Sequence, residues 1–490
     1  MSHDHLRTSE HRWWALAVLS IAQLMVALDA TVINIALPRA QVALHFSNAN
    51  RQWLITAYAL AFGSLLLLGG RLSDLWGRRN ALFIGLAGFA LASAVGGAAN
   101  SFSMLVTARA VQGLFGALLA PAALAALTVT FQEPKERAKA FSIFGAVGGS
   151  GAAVGLLLGG ALTQWSSWRW CLFINLFFAF VALVGVALFV RGGRSEHHTR
   201  LDAIGTVLGS LGLCFVVYGL GNAVTSSWSS SLTVGSLVLG AALLVLFILW
   251  QRRSSHPLLP LRLLLNRTRA GSLAALFITS IGIFGVFLFL AYYLQSTLGF
   301  SPMRSGLAFL PLVAAISFSA FIASARLLAK VGPRPLVPVG MILSTMGMVL
   351  FTRLPATSDY AGHVLPGLIV TGLGLGLIFA PAMASATAWI EARDAGAASA
   401  LVNTTQQVGG SVGTALLNTI AVSVTLRAVR ALPVLNTPSG ARYYATVATL
   451  HGYTVAFWWA AGFFAFGAVV TYFVLESGVP ELEGELVPLI

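Results

Sequence analysis

The chain has 490 residues, 57% of them hydrophobic and 9% charged, with a formal net charge of +14. Soluble domains carry about 25% charged residues, so this composition excludes an ordinary soluble protein and implies a chain immersed in a lipid bilayer. No basic run with interleaved aromatics accompanies the positive charge, which argues against nucleic acid as a partner. Cys171 and Cys214, both in apolar runs, form neither a disulfide framework nor a metal-ligand spacing.

Fourteen apolar runs are long enough to cross a bilayer and predict an all-α membrane protein. Their approximate bounds are 13–37, 52–70, 80–98, 103–130, 138–162, 168–190, 201–221, 232–250, 270–295, 303–325, 335–352, 362–388, 399–425 and 452–475. The longest connections are 191–200, 251–269 and 426–451. Residues 1–12 are polar and read as a tail; the first run is too long for a cleavable leader and is expected to stay as a helix. Trp13, Trp14, Trp165 and Trp168 stand near run ends and read as an interfacial belt.

The first run closes on Ala27-Leu28-Asp29-Ala30-Thr31-Val32-Ile33-Asn34-Ile35-Ala36-Leu37-Pro38. Asp29 is the only acid well inside a run. A bare carboxylate there is costly, so it must be neutralised, paired or turned to water. A proton that comes and goes would make it a coupling device, with protons as the coupling ion and no other cofactor. An Asp held by backbone N–H groups at a kink is the structural alternative. Arg109 is the only basic residue well inside a run. Either it pairs with Asp29 when the proton is absent, or it is a structural Arg tied to backbone carbonyls. Gln112, Thr31 and Asn34 could complete that network or serve as interhelical hydrogen bonds.

Further along, Gly151, Gly155 and Gly159 recur every four residues, with Gly160 beside them. One small-residue helix face results, suited to the close approach that rocking between two halves needs, or to ordinary packing. Asn403 and Gln407, with Ser411 and Asn418, fall near one face of the thirteenth run. Together with Gln23, Tyr58, Tyr292 and Gln295 they are candidate lining for a central cavity. Phe62, Phe284, Phe287 and Trp389 could add cation–π or apolar surface, or simply face lipid.

Placing the N-terminus inside puts more than twice as many Lys and Arg residues in inner connections as in outer ones, so both termini are expected to be cytoplasmic. The chain also repeats itself. Gly116-Ala-Leu-Leu-Ala-Pro121-Ala122 returns as Gly376-Leu-Ile-Phe-Ala-Pro381-Ala382. Arg71-Leu72 with Gly77 and Arg79 returns as Arg326-Leu327 with Gly332 and Arg334. Two parallel six-helix halves with two helices inserted between them account for both. The expected division is therefore a tail (1–12), a first half (13–190), a linker with two inserted helices (191–269), a second half (270–475) and an acidic cytoplasmic tail (476–490).

These residues resemble the major facilitator superfamily and, within it, the fourteen-span drug:proton antiporters. The likeness covers nearly the whole chain. Leu28 to Pro38 resembles that subfamily's first-helix motif almost without departure. Gly70-Arg71-Leu72-Ser73-Asp74-Leu75-Trp76-Gly77-Arg78-Arg79 is similar to the superfamily's loop between spans two and three. Arg109-Ala110-Val111-Gln112-Gly113 resembles its fourth-span motif, and Gly151 to Gly160 its fifth-span antiporter motif. Trp168-Arg169-Trp170 with Ile174-Asn175 resembles the start of span six. The resemblance departs at Leu156 and Phe177, where the family usually has Pro, and at Gln406, where it usually has Arg.

The resemblance implies a cytoplasmic latch built from Gly70, Arg71, Asp74, Gly77, Arg78 and Arg79, beside the simpler reading of those arginines as positive-inside charge. It also implies a monomeric plasma-membrane exporter of small lipophilic drugs by alternating access. A dedicated exporter of one metabolite, antibiotic or lipid is the neighbouring reading, and a non-transport membrane protein the more distant one. No nucleotide-binding loop, metal cluster or nucleophile–base pair points to an enzyme or a primary pump.

Overall fold

A computed structural model describes residues 2–131, 133–190, 202–254, 257–259, 261–323, 327–356, 359–387, 395–430 and 438–476. Within these, some side chains lie outside the described residues, among them those of Arg71, Asp74 and Phe284.

Among the described residues every long element is a helix, as lipid demands of a chain that must satisfy its backbone polar groups internally. The first six are α1 (Ser2–Leu44), α2 (Trp53–Trp76), α3 (Arg78–Gly97), α4 (Phe102–Thr130), α5 (Pro134–Trp165) and α6 (Trp170–Phe189). Then follow α7 (Ala203–Thr225), α8 (Ser231–Arg253), the short α9 (Arg262–Leu265) and α10 (Arg267–Tyr292), which a π-helical turn (Tyr293–Thr297) prolongs. The last are α11 (Pro302–Ala308), α12 (Leu310–Ile322), α13 (Leu328–Val331), α14 (Pro333–Phe351), α15 (Leu365–Thr387), α16 (Ala395–Arg430) and α17 (Pro438–Val474). Among the described residues, 12 helical stretches are long and apolar enough to cross a membrane. Shorter apolar stretches lie at Trp53–Leu66 in α2 and Ala153–Trp165 in α5.

Starts are capped where the sequence offers a side-chain acceptor. Ser101, Asp202, Asn266 and Ser301 accept the backbone N–H two or three residues into α4, α7, α10 and α11. The helices overrun the apolar runs, furthest at two ends. α1 extends back into the polar tail, and α17 begins at Pro438, so the expected connection 426–451 is partly helical. A helix leaving the membrane needs no apolar residues, so hydropathy alone misses such extensions. The tenth run is broken at Phe309, just before Pro311, into α11 and α12.

The helices pack in two equivalent sets. α2 and α3 flank α4, and α1 packs on α5 and α6. Correspondingly α12 and α14 flank α15, and α10 packs on α16 and α17. The repeated turn motifs take the same local form in both sets. Gly77 (φ 83°) and Gly332 (φ 71°) both take a left-handed backbone conformation that suits glycine. Two residues beyond each, an arginine caps the last turn of its set's final helix: Arg79 donates to the Ala187 carbonyl at 2.9 Å, and Arg334 to that of Tyr472 at 3.1 Å.

α7 and α8 form a hairpin whose α7 lies on both sets. Ser210 donates to Ser64 O in α2 (3.3 Å), and Thr419 of α16 donates to Leu220 O (3.0 Å). One apolar core lies within α1–α6. A second fills α10–α17 and joins Ile33 and Leu37 of α1 to Tyr293 and Phe309 at the end that carries the α1–α2 turn. Large apolar side chains such as Phe180, Leu188, Val238, Phe321 and Phe466 are exposed on the perimeter, where acyl chains would lie. Of the four tryptophans assigned to an interfacial belt, Trp14 and Trp165 are exposed. Trp168 is instead buried, with the Arg169 guanidinium 4.7 Å from its ring, and Trp13 packs on Phe131.

Candidate functional site

Asp29 lies mid-helix on α1 and is wholly buried. Helix α5 makes that burial possible. A Cβ added at Gly155 would fall 2.0 Å from Thr31 Oγ1 and 3.0 Å from Leu28 O, so only glycine lets α5 approach this part of α1. Gly151 and Gly159 face Ala27 and Val32 in the same way. These three glycines therefore pack two helices of one set, and not the junction between sets that rocking would use. Gly160 does reach that junction, against Met303 of α11.

Four side chains surround the carboxylate. Arg109 Nη1 donates to Asp29 Oδ2 at 2.5 Å. Asn175 Nδ2 donates to Oδ1 at 2.7 Å, and Gln112 Nε2 to Oδ1 at 3.2 Å. Ser93 Oγ accepts from Gln112 at 2.6 Å and from Asn175 at 3.3 Å. Arg109 is itself held at several points. Its Nη1 donates also to Gln112 Oε1 (3.0 Å), its Nε donates to the Leu54 carbonyl (3.1 Å), and its guanidinium carbon lies 4.4 Å from the centre of the Tyr58 ring. Helices α1, α2, α3, α4 and α6 all contribute.

Withdrawing two charges from water costs several kcal/mol per ion, and only good geometry with further hydrogen bonds returns it. The cage provides both, and provides them with amides. An amide carries a donor and an acceptor, so Gln112 and Asn175 can serve an ionised or a protonated carboxyl. Backbone N–H groups, which donate only, are not the partners found.

The structure thus brings Asp29, Arg109, Gln112 and Tyr58 together. It does not add Thr31 or Asn34 to them. Thr31 bonds back to Leu28 O of its own helix and packs on α5, and Asn34 donates to Ala30 O. A hydroxyl or short amide on a helix has its own preceding carbonyls within reach, and here that local bond prevails. Asn175 and Ser93 complete the cage. Asn175 stands in the span-six motif, whereas no pattern marks Ser93 among the small residues of α3.

The other lining candidates divide. Tyr292 and Gln295 are at the α1–α2 end, where Tyr292 donates to Gln41 and Gln295 to Ile35 O (3.0 Å), so they join the two sets of helices. Gln407 Cβ lies 2.7 Å from where a side chain on Gly63 would begin, at the α2–α16 contact. Gln23 is half-buried on α1, and Asn403 is exposed on α16. Phe62 is buried against Tyr58, and Phe287 packs on Phe309. Trp389 and the Phe284 side chain lie outside the described residues.

Of the latch candidates, the side chains of Arg71 and Asp74 also lie outside the described residues. Gly77 forms the turn, Gly70 packs loosely on Pro121, Arg78 is half-buried, and Arg79 bonds within its own set. The contacts between sets concentrate at the α1–α2 end. There Arg51, absent from the candidates, is buried among residues of α10, α16 and α17. A polar turn residue beside an apolar run gives no sign that it points inward.

Comparison with known proteins follows the same lines. A sequence model described as the Major Facilitator Superfamily matches residues 19–414. The chain is 48% identical over 469 residues to the puromycin resistance protein pur8 of Streptomyces alboniger, covering 95% of this chain and 92% of that one. It is 35% identical over 415 residues to the cephamycin export protein CmcT of Amycolatopsis lactamdurans, covering 84% and 85%. Among solved structures it superposes with a TM-score of 0.66, at 16% identity, on a bacterial homologue of the human lysosomal transporter Spinster. That match covers 95% of this chain and 97% of the other.

Proposed function

The chain belongs to the major facilitator superfamily and is a membrane transporter, not an enzyme; from that premise we propose that it exports a small, largely apolar antibiotic or drug in exchange for protons. The observation that carries the proposal is the wholly buried Asp29, paired with Arg109 inside a cage of amides. Protonation from outside neutralises Asp29 and loosens Arg109. Release of that proton inside restores the pair. Alternation between the two biases the helix sets toward one opening or the other.

The topology we infer has fourteen spans. α2 and α5 are 24 and 32 residues long, enough to cross a bilayer, and complete the set with the apolar helices named above. α1–α6 and α10–α17 form the two halves, and α7–α8 are the inserted pair. Both termini are cytoplasmic in a plasma membrane, and the working unit is a monomer. The α1–α2 end is then the outer one. The concentration of contacts between halves at that end supports an outer-closed state.

One exchangeable acid implies one proton per cycle. Exchanged for a monovalent cation, it moves no net charge. Transport then draws on the pH difference, about 1.4 kcal/mol per unit, and not on the potential, worth about 2.3 kcal/mol per charge per 100 mV. A neutral substrate would draw on both.

The test is Asp29→Asn in proteoliposomes with an imposed pH gradient. The variant should fold and insert while losing pH-driven efflux; undiminished efflux would sink the proposal. A second reading, export of one dedicated antibiotic, is favoured by the two relatives named above, each for a single compound. Puromycin is the first compound to assay, against a panel of unrelated dyes and antibiotics.

A further inference from the structure

Arg51 lies in the turn just before α2 and is 2% exposed. Its partners among the described residues are all neutral. Nε donates to Asn418 Oδ1 at 2.9 Å and Nη1 to the Tyr453 hydroxyl at 3.2 Å. Its guanidinium carbon lies 4.3 Å from the Tyr292 ring centre, 5.6 Å from that of Tyr453 and 5.8 Å from that of Phe289. Every one of these residues belongs to α10, α16 or α17, whereas Arg51 belongs to the first half.

A buried cation without an anion is stable only while such a cage stays assembled. Separating the halves at this end dismantles the cage at once and returns the guanidinium to water. Two neighbouring bonds close the same end: Tyr292 donates to Gln41, and Asn418 Nδ2 donates to the Asn48 carbonyl at 3.3 Å.

Arg51 is also joined to the buried acid. The Leu54 N–H donates to the Arg51 carbonyl at 3.4 Å, and the Leu54 carbonyl accepts from Arg109 Nε at 3.1 Å. Arg109 in turn holds Asp29. The titratable groups facing Asp29 are Arg109 from α4, Tyr58 from α2 and Cys171 from α6; those facing Arg51 are Tyr292 and Tyr453.

We propose that Arg51 is the latch of the outer gate, and that Arg109, acting through the Leu54 carbonyl, keeps it seated while Asp29 is ionised. The empty, deprotonated transporter is thereby held shut outside, which prevents an outward stroke without cargo. Neutralising Asp29 frees Arg109 and loosens the first turn of α2, so Arg51 no longer locks the outer mouth and a protonated transporter can turn either way. The coupling half of this scheme rests on reading Asp29 as the proton site; the latch itself does not.

The test is a spin-label distance across the outer mouth, in full-length protein in lipid nanodiscs at neutral pH. Labels go on Val42→Cys and Leu426→Cys, both at exposed positions, with Cys171 and Cys214 replaced by Ala and Ser. The parent should show a short distance. Arg51→Gln should lose most of that population to a longer one, and Asp29→Asn should do so in part. Arg51→Gln/Asp29→Asn should show no more opening than Arg51→Gln alone. Asn418→Asp, which gives Arg51 a carboxylate, should keep the short distance even beside Asp29→Asn, an outcome that misfolding cannot imitate. A short distance retained in Arg51→Gln, fully additive opening by Arg51→Gln and Asp29→Asn, or an open mouth in the Asn418→Asp pair would overturn the proposal. Efflux by Asp29→Asn is measured separately, so failure of the proton reading is seen apart from failure of the latch.

Discussion

Replacing Arg109 by Leu should destabilise the protein more than replacing both members of the pair. In the single variant Asp29 stays wholly buried and keeps only the Gln112 and Asn175 donors. Breaking one side of a buried pair costs about 3–5 kcal/mol. The two remaining amide donors place this case toward the lower figure, about 3 kcal/mol, or roughly a hundredfold in the folded-to-unfolded ratio at about 1.4 kcal/mol per factor of ten. In Asp29→Leu/Arg109→Leu no charge is left behind. Apolar replacement of a buried pair is often neutral or stabilising. Here the amides of Gln112 and Asn175 lose acceptors, which offsets the gain, so the double variant should lie within about 2 kcal/mol of the parent. Thermal melting of purified protein in one detergent gives the order: parent and double variant close together, Arg109→Leu well below. Neither variant should support efflux driven by a pH gradient, which separates folding from coupling. A double variant as unstable as the single one would refute the reasoning, because it would show that the stranded charge is not what the single variant suffers from.

Gly155→Val would place a side chain where Thr31 Oγ1 stands 2.0 Å away, pushing α5 off α1. A loss of about 1–3 kcal/mol is expected, read as a lowered melting temperature that the exposed change Val154→Ala does not produce. Asp202 caps α7 one residue before its apolar span begins. Burial acts to raise its pKa, but hydrogen bonds from Gly205 N–H, Trp250, Gln251 and Leu258 N–H outweigh that and leave it below the usual carboxylate value. A depressed pKa contributes stability that is present above the unfolded value of about 3.9 and lost as pH falls through the folded one. The parent should therefore lose this stabilisation below about pH 4, whereas Asp202→Asn should lack it at neutral pH and show a smaller acid-dependent loss. Equal acid sensitivity of the two, measured by melting in detergent, would count against the cap.

The helical class and the placement of the long helices were legible because an uninterrupted apolar run has few options in lipid. The repeated turn was legible too, and Gly77 and Gly332 show why: a left-handed turn restricts the choice of residue, so the same glycine stands in both sets of helices. Asp29 and Arg109 stood out because charge is rare in such runs. What remained hidden is orientation about the helix axis. Thr31 and Gln112 are both polar residues beside a charge, yet one bonds to its own helix and the other to its neighbours. Arg51 was obscured for the same reason: a basic residue at a membrane surface is unremarkable until the opposite half is seen to enclose it.

In the exchange proposed above, the direction of transport rests on the order in which these contacts are made, and not on a bend in α5. Leu156 occupies the place where the family usually has Pro. It is wholly buried, and α5 runs unbroken through it from Pro134 to Trp165. A proline there would remove a backbone hydrogen bond and kink the helix. Without it α5 meets α11 as an unbroken helix, with the Leu156 carbonyl packed directly on Gly306. What distinguishes inside from outside is then the coupling of charge to the outer contacts. With Asp29 ionised, the cage around Arg109 and the cage around Arg51 are both complete, and in the proposed topology cargo enters from the cytoplasmic side. Cargo taken up there must disturb one of the two cages before the halves can part outside, where a proton can replace it. That order is the one the proposed exchange of cargo for protons requires.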